Sequence, residues 1–214
     1  MTNYKNIIFD FGGVIIRIDY QRIAATFNKF GLGDFDSIYS QIYQDMLFDD
    51  FEKGVISPHQ FREMIREVSG IPLTDSQIDE AWNAILIDLP QKNIETLIQL
   101  KKSHRIFLLS NTNAIHEIAF MKIVHDDHGR DILTEIFDKV YFSHQLNMRK
   151  PDTEIFERVL RENNLLAEET LFVDDSIQNI KGAQKCGLQT LFVEKGKMVA
   201  DYWPPNPQRG NQGC

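Results

Sequence analysis

The chain has 214 residues, 43 % of them apolar and 25 % charged, with a formal net charge of −8. That length holds a full core, as one domain plus a sizeable insertion or as two small domains, and the acidic balance argues against general nucleic-acid binding. No apolar run is long enough to span a bilayer, Asp10 interrupts the one apolar run near the N-terminus, and Cys186 and Cys214 lie in no metal or redox spacing, so the expected compartment is the cytoplasm.

Ile7, Ile8 and Phe9 form a continuous apolar run that ends at Asp10. This is the pattern of a strand buried on both faces of a parallel sheet. Gly12 and Gly13 then let the chain turn sharply. Asp10 is either a turn residue or a ligand group at the carboxyl end of the strand, where open α/β sheets bind. Residues 20–31 place Ile23, Phe27 and Phe30 at helical spacing, with Gly31 as the stop. A second helix is expected over 35–48, and a loop carrying Phe48, Asp49, Phe51 and Glu52 before Gly54. Ser57-Pro58 reads as an N-cap with proline at the first helical position, for a helix running to Gly70. Thr74 and Gln77 form a capping-box pattern for a helix over 75–87. No strand is expected between Asp19 and Asp88, so a helical bundle inserted after the first strand is the simplest account.

From Pro90 onward helices alternate with short apolar runs. Strands are expected over 105–109, 139–142, 170–173 and 189–193, and helices over 113–124, 153–163 and 178–186, with a further helix around Ile94, Leu97, Ile98 and Lys101. This alternation implies right-handed crossovers and a parallel sheet covered by helices on both faces. Cys186 is expected as a buried helix residue and not a nucleophile. Residues 202–214, with three prolines and two glycines, read as a mobile or loosely docked tail.

Polar groups stand at three strand ends: Asp10, Ser110-Asn111 and Asp174-Asp175. Lys150, in Met148-Arg149-Lys150-Pro151-Asp152, lies on a loop before a helix. Each has an ordinary alternative: Ser110-Asn111-Thr112-Asn113 as a helix cap, Lys150 as a solvated lysine, and Asp174-Asp175 as an acidic pair favoured by a helix macrodipole. His125-Asp126-Asp127-His128 reads either as a metal pair at i, i+3 or as a solvated helical face. Taken in order, Asp10-Phe11-Gly12-Gly13-Val14, Leu108-Leu109-Ser110-Asn111, Lys150-Pro151 and Val173-Asp174-Asp175-Ser176 with Asn179 resemble the four motifs of the haloacid dehalogenase-like hydrolase superfamily. The resemblance covers nearly the whole chain.

That resemblance implies an α/β fold, a doubly wound parallel sheet forming a Rossmann-like core over residues 1–18 and 89–201, with an inserted helical cap over 19–88. It implies Asp10 as a nucleophile forming an aspartyl-phosphate, and Mg²⁺ held by Asp10, the Gly12 carbonyl and Asp175, with Asp174 near or water-mediated. Lys150 would neutralise Asp10 and the phosphoryl oxygens, and Ser110 with backbone donors around Asn111 would bind the phosphate of a small phosphorylated substrate. The family's phosphatases usually carry a second aspartate two residues after the nucleophile, where this chain has Gly12. Either the leaving group is good, or a cap residue or the substrate replaces that acid. The pattern is most similar to the α-D-glucose-1-phosphate phosphatase branch, which also has glycine there. A haloacid dehalogenase or a non-catalytic phosphosugar-binding regulator are the competing functions, though a dehalogenase would not be expected to keep Asp174-Asp175.

Overall fold

A computed structural model describes residues 4–33 and 47–203. Its strands are β1 (Asn6–Phe9), β2 (Arg17–Ile18), β3 (Leu86–Asp88), β4 (Arg105–Ser110), β5 (Lys139–Phe142), β6 (Thr170–Asp174) and β7 (Gln189–Phe192). Five of them form one sheet in the order β5-β4-β1-β6-β7, with every neighbouring pair parallel. The chain builds outward from β1 to one side, then returns to build the other side from β6. The direction of winding therefore reverses beside β1, which opens a crevice at the carboxyl ends of these strands.

Alternation along the strands explains their unbroken apolar runs. Ile7, Phe9, Ile106, Leu108, Leu171 and Val173 face a core completed by helices Gln91–Lys101 and Ala114–His128. Ile8, Phe107, Leu109 and Phe172 face the opposite core, completed by helices Thr153–Asn163 and Ile177–Lys185. Both faces are buried, so both sets of side chains must be apolar.

Helices Gln21–Lys29, Leu47–Glu52, Pro58–Ser69 and Asp75–Asn83 gather around a separate apolar cluster. Ser57 with Gln60 and Thr74 with Gln77 close the reciprocal capping boxes that their spacing announces. Aromatic rings fill the centre: Phe48 stacks on Trp82 at 5.3 Å, and Phe51 on Phe61 at 4.3 Å.

Several expectations need correcting. The helix expected over 75–87 ends at Asn83, and Leu86–Asp88 pairs antiparallel with Arg17–Ile18. Helical periodicity could not reveal a partner about seventy residues away; an Arg17–Asp88 ion pair joins the two strands. Residues 47–52 are a helix and not a loop, because Phe48 and Phe51 turn toward the aromatic cluster. Tyr202 and Trp203 are not part of a mobile tail. The Trp203 ring meets Phe9 edge-on at 6.2 Å, and its carbonyl accepts a 3.1 Å hydrogen bond from the Thr96 hydroxyl. Residues 204–214, and the expected helix over 35–48 apart from its last two residues, lie outside the described residues. Cys186 follows the helix Ile177–Lys185 and is only half-buried.

Gly182 is needed for close approach: a Cβ there would lie 2.3 Å from the Pro151 carbonyl oxygen and 3.1 Å from the Phe156 ring. Gly182→Ala must push the loop that carries Lys150 or the helix itself. Overpacking of this kind costs on the order of 1–3 kcal/mol. Thermal unfolding should therefore show a Tm lowered by several degrees, and an unchanged Tm would contradict the packing.

Candidate active site

Asp10 follows β1 directly, held in register by its N–H, which donates to the Val173 carbonyl at 2.8 Å. Its carboxylate is buried, and Oδ1 accepts from the Lys150 Nζ at 2.6 Å. The same ammonium donates to Asp174 Oδ2 at 2.8 Å. Lys150 is 1 % exposed, so its charge is sequestered from water. Burial opposes that charge, but Asp10 and Asp174 outweigh it and hold the ammonium above its usual range. Two carboxylates share one cation, leaving negative charge unbalanced. Burial first, with Asp174 adding to it, pushes Asp10 up to about 7 against the pull of Lys150.

Both Asp174 oxygens are held in place by hydrogen bonds. Its Oδ1 accepts from the Ser176 N–H at 2.7 Å, and the Asn179 amide donates to both oxygens at 3.1 Å. Asp175 faces the cavity, and the packing around it together with Asp174 raises it to about 6. A Cβ at Gly13, where φ is +74°, would stand 2.2 Å from Asp175 Oδ2. Glycine is required there on both counts.

Ser110 ends β4, and Asn111 follows. The Asn111 side chain clamps the Lys150 backbone, donating to its carbonyl and accepting from its N–H, both at 2.9 Å. Its amide is thus committed to positioning Lys150, which leaves the backbone around it for a ligand. Asn113 does cap the next helix, accepting from the N–H groups of Ile115 and His116 at 3.1 and 3.0 Å. That helix start faces the cavity and favours an anion.

Asp10, Gly12, Ser110, Asn111, Lys150 and Asp175 line one cavity of about 320 Å³, and Asp174 stands behind it. The opposite wall comes from the helical insertion: Phe48, Phe51, Glu52 and Trp82. Of the insertion residues singled out in the sequence, Asp49 is the one that bonds Arg149 instead of lining the wall. Arg149 also stands 2.8 Å from Glu52 Oε2. Arg149, Trp82, His116 and Asn179 complete the site without having been assigned roles from sequence. Arg149 and Asn179 sit inside motifs, so proximity was their signal. Trp82 and His116 carry none, since each lies on a helical stripe like any core residue. His116 stacks on Trp82 at 5.1 Å, and burial drives its pKa down to about 3. The ring is neutral.

Asp10, Asp174 and Asp175 each offer a carboxylate oxygen within 4.8 Å of the others. Such an all-oxygen, acidic donor set fits a hard cation such as Mg²⁺. His125 and His128 join no such group among the described residues. The excess of carboxylates over Lys150 is the kind of imbalance a divalent cation relieves.

Lys150→Met would leave Asp10 and Asp174 buried without a counter-ion. Breaking such a pair costs about 3–5 kcal/mol. Urea unfolding without metal should show this loss at pH 8. At pH 5 the loss should shrink, because Asp10, pushed up to about 7, is then protonated. Equal loss at both pH values would contradict the charge argument.

Residues 4–187 match the family model described as haloacid dehalogenase-like hydrolase. The chain is 34 % identical to the D-ribitol-5-phosphate phosphatase of Bacteroides thetaiotaomicron, over 90 % of this chain and 93 % of that one. It is 35 % identical, with a TM-score of 0.86, to the crystal structure of a HAD family enzyme from the same organism in complex with magnesium and inorganic phosphate, over 94 % of this chain and 100 % of that one. A predicted HAD-like family hydrolase from Porphyromonas gingivalis matches at 31 % identity and a TM-score of 0.80, over 91 % and 93 % of the two chains. This chain belongs to the haloacid dehalogenase-like hydrolase family.

Proposed function

We propose that the chain is an Mg²⁺-dependent phosphatase acting on a small phosphorylated sugar or polyol through an aspartyl-phosphate on Asp10. The observation that carries this reading is Asp10 at the end of the central strand, 2.6 Å from buried Lys150 and grouped with Asp174 and Asp175. An Asp10 oxygen attacks phosphorus, the bond to the leaving oxygen breaks, and water then releases phosphate from Asp10. Lys150 holds the attacking carboxylate in place and offsets charge on the phosphoryl oxygens. Ser110, the backbone at Asn111 and the helix start behind Asn113 hold the phosphate. Asp10, the Gly12 carbonyl and Asp175 would hold Mg²⁺, with Asp174 orienting the group from behind. When bound, Mg²⁺ offsets the repulsion between carboxylate and phosphate.

Phosphatase relatives support the reading, among them the D-ribitol-5-phosphate phosphatase noted above. A cavity of about 320 Å³ is at the small end for ligand sites and fits a pentitol or hexose phosphate. Residues 19–88 act as the cap that selects the sugar, over a core formed by 1–18 and 89–201. Ribitol 5-phosphate and glucose 1-phosphate are the two leading substrates. The first has the named relative behind it, and the second has the motif set.

Phosphate release from a panel of sugar and polyol phosphates tests this. Turnover should require Mg²⁺ and favour one of these classes. Asp10→Asn should fall below a few per cent of wild type, because an amide neither attacks nor binds the cation well. Undiminished turnover in excess chelator, or in Asp10→Asn free of deamidation, would refute the assignment.

A further inference from the structure

We propose that Glu52, carried to the cavity wall by the helix Leu47–Glu52, donates the proton that the leaving oxygen requires. The inference rests on the phosphatase reading. An alkoxide is a poor leaving group, and a positioned acid typically contributes about 10²–10⁴ in rate. Gly12, beside Asp10, has no side chain to supply it.

The groups that line the cavity narrow the choice. Asp10 is the attacking group, and Asp175 belongs to the cation cluster. Lys150 is fixed between Asp10 and Asp174. Arginine does not give up its proton. His116 is neutral, with Nδ1 2.9 Å from Asn83 Oδ1, and an imidazole with a pKa near 3 is not a proton donor at neutral pH. Tyr20 is 67 % exposed, at the rim. Glu52 remains.

Its environment suits the role. Oε2 is buried on the cavity wall, and the Arg149 guanidinium stands 2.8 Å from it. Arg149 is also bonded to Asp49, so two carboxylates share one cation. Burial first, and then Asp49, raise the Glu52 pKa against the pull of Arg149 and Lys150. A bound phosphate adds further negative charge opposite it. Burial therefore works toward the protonated carboxyl, while Arg149 works against it.

The step balances. Asp10 Oδ bonds to phosphorus as the phosphorus–oxygen bond of the substrate breaks. The leaving oxygen takes that electron pair and the Glu52 proton, and departs as the alcohol. The Glu52 carboxylate then takes a proton from the water that attacks the aspartyl-phosphate. Hydrogen phosphate leaves, and Glu52 is protonated again.

Hydrolysis of aryl phosphates of graded phenol pKa, together with an alkyl phosphate, tests the inference in wild type and Glu52→Gln with Mg²⁺ present. Wild type should show a shallow dependence of kcat/KM on leaving-group pKa. In Glu52→Gln the dependence should steepen. The most acidic phenol should lose less than about tenfold, which also reports a folded site, while the alkyl phosphate loses about 10²–10⁴-fold. A uniform loss along the series, or none, would overturn the assignment, the first indicating a positioning role for Glu52. Glu52→Asp should recover part of the alkyl activity. Absence of wild-type turnover on every substrate would overturn the phosphatase reading itself, which is a separate result.

Discussion

The structure depends on one buried cation. Lys150 lies between Asp10 and Asp174 with almost no exposed surface. Removing these charges from water is costly, and mutual attraction offsets the cost only when geometry is good. Much of the neighbouring structure supplies that geometry. The Asn111 amide fixes the Lys150 backbone, Gly182 lets the following residue pack closely, and Asn179 with the Ser176 N–H holds Asp174 in place. Asn111 follows β4, while Ser176, Asn179 and Gly182 belong to the helix that follows β6, so the parallel sheet is what brings the two groups together.

The loop that carries Lys150 also holds the helical insertion. Arg149 reaches Asp49 and Glu52, and the Asn147 amide donates to the Lys53 carbonyl at 2.9 Å. Gly54 packs so closely on His144 that a Cβ would lie 2.3 Å from its carbonyl oxygen. Neighbouring residues of one segment thus fix the buried charge on one side of the cavity and the insertion wall on the other. A change in how the insertion sits would be felt at Lys150 through the backbone of Arg149.

The core was legible because both faces of its sheet are buried, which writes each strand as an unbroken apolar run ending in a polar group. Asp10, Ser110 and Asp175 could be placed this way, since strand ends in such a sheet converge, whereas Lys150, on a loop before a helix, stood out only through the order of the motifs. The β2–β3 pair was not legible, because strands of two and three residues paired across about seventy residues leave no local period. The helix at 47–52 looked like a loop, since its six residues are too few for helical spacing to stand out. Asn111 was recognised as a site residue, but its bond to Lys150 spans 39 positions, and only the folded chain shows that its amide is already used.

The stack of Trp82 between Phe48 and His116 gives the molecule a built-in optical reporter. The chain has two tryptophans, and the other, Trp203, sits edge-on to Phe9 on the core. Trp82 belongs to the insertion and His116 to the core, so any separation of the two bodies must unstack the indole from the imidazole. Indole emission responds to such a change in surroundings, while Trp203 keeps its own. The fluorescence of the unlabelled protein therefore carries a record of how tightly the insertion covers the cavity.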